Sequence, residues 1–181
     1  MKRNLPMRTS LFRASLVAAS LLSIFAASAY DGVLTFKGEI TNTTCKISVN
    51  GNGSTTEITF PPISVTALPA AGSVANVQPI VMQLSECQNA TENTRALFES
   101  LSSDPITGNL VNIGTARNVQ VQLLDQDRQK ITVNDPSQNQ GPSFKIKDNA
   151  ATLKYFAQYF AVDKVVGGNV YSQVNYSISY F

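Results

Sequence analysis

Histidine and tryptophan are absent from the 181-residue chain, and cysteine occurs only twice. Without histidine there is no Ser-His-Asp or Cys-His relay, and the commonest transition-metal ligand is missing. The lack of tryptophan removes the Cys…Trp…Cys layout of antibody domains. Charge is sparse: 14 Lys and Arg stand against 12 Asp and Glu. Beyond the first residues the basic ones form no cluster that could track a phosphate backbone, so no nucleic acid is expected as a partner. The expectation is no catalytic residue, no cofactor and no metal. Asp125 and Asp127 in "LLDQDRQK" could be imagined as a calcium or acid/base pair, but further oxygen ligands and the glycine of a calcium loop are missing, and a hairpin turn is the plainer reading. Gly167 and Gly168 lack the strand–loop–helix setting of a phosphate-binding loop.

Long apolar runs are limited to one, "LVAASLLSIFAA" (Leu16–Ala27). It is too short to span a bilayer. Lys2, Arg3, Arg8 and Arg13 precede it and the small residues Ala27 to Ala29 follow, the layout of a secretory signal over residues 1–29. Its removal leaves 181 − 29 = 152 residues starting at Tyr30, with 14 − 4 = 10 basic side chains against 12 acidic ones. That chain is not membrane-spanning, and its size suits one domain with a core. In an oxidising compartment Cys45 and Cys87 are expected to pair. The 42-residue separation makes such a bridge worth roughly 4 kcal/mol on the chain-entropy account. Sequons at Asn42, Asn52, Asn89 and Asn175 are explained by chance in a chain rich in Asn, Ser and Thr.

Period-two patterns dominate what remains. Strands are predicted over Val33–Ile40, Cys45–Val49, Glu57–Phe60, Ile80–Leu84, Arg95–Glu99, Val119–Leu124, Lys130–Val133, Leu153–Val162 and Val170–Tyr180. Breakers separate them at "NGNGS", "SSDPITGN", "NDPSQNQGPS" and "VVGGN". Many short strands at this spacing imply an all-β sandwich of the immunoglobulin-like kind. Two stretches stand out. The tail "VYSQVNYSISYF" alternates apolar with Ser, Asn and Gln and carries no charge. Near the front, Gly32, Leu34, Phe36, Gly38 and Ile40 share one face of "YDGVLTFKGEITNTTC". This front segment reads equally as an ordinary first strand or as a free arm, and an ordinary complete sandwich would also explain both alternations.

Several motifs run in order along the chain: "FKGEITNTTC", "LSEC" around Cys87, "GNLVNIGTARNVQVQLLD" (Gly108–Asp125), "YFAQYFA" (Tyr155–Ala161), Tyr180 next to last and Gly168 fourteenth from the end. With these the chain resembles a pilin of the chaperone–usher pathway, close to the major subunits of type 1-like fimbriae. The resemblance implies an incomplete immunoglobulin-like sandwich lacking its seventh strand, over residues 43–181. Residues 30–42 would be a donor-strand extension presenting Gly32, Leu34, Phe36, Gly38 and Ile40. The groove that receives a strand would be lined by Gly168, Val170, Val174, Tyr176, Ile178 and Tyr180, with the carboxylate of Phe181 held by basic residues of a periplasmic chaperone. The other implied partners are neighbouring pilin subunits and an outer-membrane usher, and the implied product is an extracellular fimbria on the bacterial surface. A minor or adaptor pilin is the nearest alternative. A secreted carbohydrate-binding sandwich, stacking sugar on Tyr30, Tyr171 or Phe181, is a more distant one.

Overall fold

A computed structural model describes residues 34–37, 44–89 and 91–181. The expected signal peptide, Gly32, Gly38 and Ile40 lie outside the described residues. The chain divides into Met1–Glu39 and Ile40–Phe181. Within the first unit, Leu34–Lys37 has no strand partner, and Leu34 and Phe36 are 84% and 90% exposed. The expected strand there is therefore not formed at those residues.

Among the described residues the second unit carries nine strands: β1 (Thr44–Val49), β2 (Val74–Gln88), β3 (Asn93–Glu99), β4 (Leu110–Val111), β5 (Arg117–Leu124), β6 (Lys130–Ile131), β7 (Phe144–Lys145), β8 (Ala151–Val166) and β9 (Asn175–Tyr180). One sheet runs β1-β2-β8-β5-β4 with β6 beside β5, and the other runs β7-β3-β9. Every pairing is antiparallel. Residues of β2, β3, β5 and β8 meet between the sheets, where Met82, Leu84, Phe98, Leu123 and Leu153 are almost wholly buried. Tyr155 stands at their centre, edge-on to Phe98 and Phe144 with ring centroids 5.1 and 5.6 Å away, a favoured aromatic geometry. Burial pushes its phenol up to about 12. The predicted pairing of Cys45 with Cys87 is present and ties β1 to β2.

β5 is buried on both faces. Its outward residues Gln120 and Gln122 lie under the loop after β3, and their amides are joined in a chain. Gln158 donates to Gln122 at 2.7 Å, Gln122 to Asn109 at 3.3 Å, Asn109 to Gln120 at 3.1 Å and Gln120 to Asp104 at 2.6 Å. Buried amides survive because each finds a partner. The N–H groups of Thr107 and Ile106, then the Gln120 amide, hold the Asp104 carboxyl below its usual range.

β2 and β8 are far longer than the alternation in Ile80–Leu84 and Leu153–Val162 suggests, because each is paired along both edges for part of its length and ladder bonds continue where side-chain alternation lapses. A register shift between Ala75 and Gln78 takes up the irregularity. The short β4 and β7 carry too few residues to show a period. Val170–Val174 and Glu57–Phe60, both expected to be strand, are not. Their alternation is nonetheless present in their burial, and the reason lies in the site described next. Asp125 and Asp127 lie in the β5–β6 hairpin, where the Asp125 carboxylate accepts the Asp127 and Gln129 N–H groups at 2.9 and 2.8 Å.

Candidate functional site

β9 forms one edge of the smaller sheet. Its register with β3 matches Thr94 to Tyr180, Ala96 to Ile178 and Phe98 to Tyr176. Asn93 and Phe181 exchange both backbone hydrogen bonds at 3.0 Å, so the odd-numbered residues of β9 bond inward to β3. The N–H and C=O groups of Tyr176, Ile178 and Tyr180 then point away from β3. Among the described residues none of these six groups has a partner.

Side chains on this edge repeat with period two. Val170, Ser172, Val174, Tyr176, Ile178 and Tyr180 are half-buried, while Tyr171, Gln173, Asn175 and Ser177 are exposed. The five apolar or aromatic members pack on the core, yet none of them is closed over. Across from β9 lies the segment that follows β1. Thr56, Ile58 and Phe60 are half-buried and Glu57 and Thr59 exposed, the same alternation without a ladder. Ile58 and Phe60 pack on the same core, and Phe60 stacks on Tyr159 with centroids 4.5 Å apart. The Tyr176 hydroxyl donates to the Ser54 carbonyl at 2.6 Å, linking the two walls.

A hydrophobic seam thus runs between two extended stretches. Each has a strand's side-chain pattern toward the core, and each lacks a backbone neighbour on the seam side among the described residues. Unlike β9, which has its ladder with β3, Glu57–Phe60 and Val170–Val174 have no ladder on the other side either among the described residues, and so are not strands: alternation reports which face meets the core, whereas a strand also requires a ladder partner. Partial burial raises the phenols of Tyr176 and Tyr180. None of the half-buried residues lining the seam is charged.

At the Gly168 end the seam opens on an apolar cavity of ≈ 150 Å³, lined by Leu68, Ala116, Val119, Tyr159, Val165 and Val170. A Cβ on Gly168 would lie 2.7 Å from the Thr115 carbonyl carbon, so only glycine fits against that backbone. At the other end the Arg95 guanidinium lies 4.4 Å over the Phe181 ring.

Of the residues that the resemblance assigns to the groove, Val170, Val174, Tyr176, Ile178 and Tyr180 share one face along this edge, with Gly168 beyond one end and the exposed Phe181 beyond the other. Ser172 belongs on the same face, with its hydroxyl donating to the Val111 carbonyl at 2.9 Å, and only its polarity hid it. Ile58 and Phe60 were legible as part of a strand over Glu57–Phe60, but neither they nor Thr56 as the opposing wall. Of the front segment, only Leu34 and Phe36 are described, and both are exposed. Among the described residues no cluster of acidic or cysteine side chains could hold a metal, and no helix is long and apolar enough to cross a membrane.

Comparison with known proteins matches this architecture. The type-1 fimbrial protein A family model matches residues 60–181. The F17 fimbrial protein of Escherichia coli is 34% identical over 175 residues, covering 88% of this chain and 96% of the relative. The major fimbrial subunit SMF-1 of Stenotrophomonas maltophilia is 35% identical over 164 residues, covering 86% and 95%. Among solved structures, a chain of a chaperone–usher pilus superposes with a TM-score of 0.60 at 16% identity, covering 84% of this chain and 96% of the other. The P pilus rod subunit PapA superposes with a TM-score of 0.56 at 17% identity, covering 82% and 100%. These two share the fold, an immunoglobulin-like pilin sandwich. The chain belongs to the type-1 fimbrial protein family and is a structural subunit of an extracellular fimbria, built to polymerise with other pilin subunits.

Proposed function

We propose that the seam between β9 and Ser54–Phe60 is an acceptor groove, and that subunits join when the front segment of one chain is laid into the groove of the next. The observation that carries this is the pairing of unmet backbone groups with a half-covered apolar face along a single edge, β9. An extended segment placed there would bond to the outward N–H and C=O groups of Tyr176, Ile178 and Tyr180 and would cover Val170, Val174 and the residues between with its own inward face. This is strand addition to an open sheet edge, of which chaperone–pilin complementation is itself a known instance.

Residues 30–42 suit the part. Leu34 and Phe36 stand exposed, and Leu34, Phe36 and Ile40 would together gain on the order of 5 to 9 kcal/mol from burial, before entropy. Glycines at 32 and 38 would let the arm lie close to the groove floor. A groove free of charge is matched by an inward face free of charge. Because the arm of one copy enters the groove of another, the contact is heterologous and does not close on itself, which yields a filament.

An exposed apolar edge invites aggregation before the neighbour arrives. A periplasmic chaperone would therefore fill the groove first, and an outer-membrane usher would be the site of exchange, with the signal over residues 1–29 directing export. The chain's role is structural, not enzymatic. Deleting Tyr30 to Glu39 tests the arm: chaperone binding should persist and polymerisation should stop. Fibres of normal length from that variant, seen by electron microscopy, would refute the assignment.

A further inference from the structure

β3 has a second edge, facing away from β9, and it is finished differently. β7 pairs only with Asn93 and Thr94. Beyond Thr94, side chains take over. The Tyr155 hydroxyl accepts the Ala96 N–H at 2.9 Å. The Gln138 carboxamide accepts the Phe98 N–H at 2.8 Å and donates to the Phe98 carbonyl at 3.0 Å. One step further, the Asn134 carboxamide accepts the Ser100 N–H at 2.9 Å and donates to the Ser100 carbonyl at 2.7 Å.

A carboxamide carries the donor and acceptor of a peptide unit. Gln138 and Asn134 thus stand where a neighbouring strand's peptide groups would stand, but they belong to a turn and offer no edge of their own. The turn is firmly set. Pro136 opens a short 3₁₀ segment, Pro136–Gln140, and the Asp135 carboxylate accepts the Ser137 N–H at 2.8 Å. The Asn134 N–H also reaches the Phe98 carbonyl at 3.2 Å. Arg95, itself buried, donates to the Gln138 carbonyl at 3.2 Å. The same device recurs where β1 ends: Asn50 accepts from the Val81 N–H at 2.8 Å and donates to the Pro79 carbonyl at 3.1 Å.

We propose that Gln138 and Asn134 are specificity-determining residues for strand addition: their carboxamides seal the far edge of β3, so that an incoming segment can add only at β9 and each subunit takes a single donor. A strand approaching β3 from the sealed side would have to break the hydrogen bonds at Phe98 and Ser100 merely to replace them, with no net gain. At β9 the same strand satisfies groups that have no partner among the described residues. This rests on the groove reading above.

The test refolds the mature chain from Tyr30 in an excess of a synthetic peptide with the sequence of residues 30–43, counting peptides per chain by native mass spectrometry and following size by light scattering. The unaltered protein should bind one peptide and stop growing. Gln138→Ala combined with Asn134→Gly, the glycine suiting the left-handed backbone at φ 65°, should take a second peptide or continue to associate however much peptide is present. A folded variant that binds one peptide and stays the size of the unaltered complex overturns the sealing role. If the unaltered chain binds no peptide, the groove reading fails first and this inference with it. Amide exchange on the unaltered, peptide-bound chain gives a measurement independent of the variant's folding. The Phe98 and Ser100 amides should exchange within roughly tenfold of the Arg95 and Leu97 ladder amides. Exchange there as fast as at the exposed Gly51 and Gly53 overturns the proposal.

Discussion

The two outer edges of the β7-β3-β9 sheet differ although the strands that bear them are neighbours. On β3 the edge is taken up by β7, the Tyr155 hydroxyl and two carboxamides. On β9 the outward backbone groups of Tyr176, Ile178 and Tyr180 meet no described partner, and the apolar face beneath them is half-covered. Both edges belong to short strands joined in one antiparallel ladder. What differs is the chain folded beside them: a turn rich in Asn and Gln against β3, and on the β9 side the segment Ser54–Phe60, which packs on the core without pairing. An edge is open or closed according to its surroundings, and the strand's own sequence says little about which.

The comparison can be broken from either side. The largest effect should come from the disulfide, which anchors the chain leading to the wall opposite β9. Replacing Cys45 and Cys87 by Ser should lower the unfolding free energy by roughly 4 kcal/mol, read from denaturant melts; unchanged stability would mean that the bridge does not hold that wall. Next in size, Ile178→Asp places a charge on the half-buried face and should weaken binding of the arm peptide by about a hundredfold or more, whereas Ser177→Asp on the exposed face should change it by no more than about threefold. Equal losses from both would show that the face assignment is wrong.

On the closed edge, Tyr155→Phe leaves the Ala96 N–H without its acceptor and should cost about 1 to 3 kcal/mol. The pH dependence goes with it. Because the folded phenol lies at about 12 against an ordinary 10.0, its contribution is fully present below pH 10 and is lost as pH rises toward 12. Thermal melts of Tyr155→Phe should lack that part of the alkaline decline. The smallest effect is at the acid end. Asp135 is held below its ordinary 3.8, chiefly by the Ser137 side chain and N–H, and Asp104 below the same value by Thr107, Ile106 and Gln120. Stability from both is present above that value and lost as pH falls through the lowered one. Asp135→Asn should flatten the acid limb of the melting curve slightly.

Much of the fold was legible as alternation. β1, β3 and β5 lie within a few residues of where period two places them, β9 keeps only the second half of the expected Val170–Tyr180, and the tail's alternation from Val170 on is present in its burial. The disulfide followed from an exported chain with two cysteines. The wall at Thr56, Ile58 and Phe60 was half-legible, since its alternation is genuine and only the missing ladder partner keeps it from being a strand. Gln138 and Asn134 were not legible at all. "NDPSQNQGPS" reads as a breaker because turn residues announce a turn, and nothing in a Gln or an Asn says whose backbone its amide will meet.

By itself, then, the sequence determined the class of the protein, its alternating faces, its disulfide and the absence of histidine chemistry, since each is set by residue type and local period. Tertiary structure alone decided which edges are met and which are left. Hydrogen bonding along a sheet edge joins residues tens of positions apart, as Phe98 and Gln138 are, and no local pattern carries that pairing.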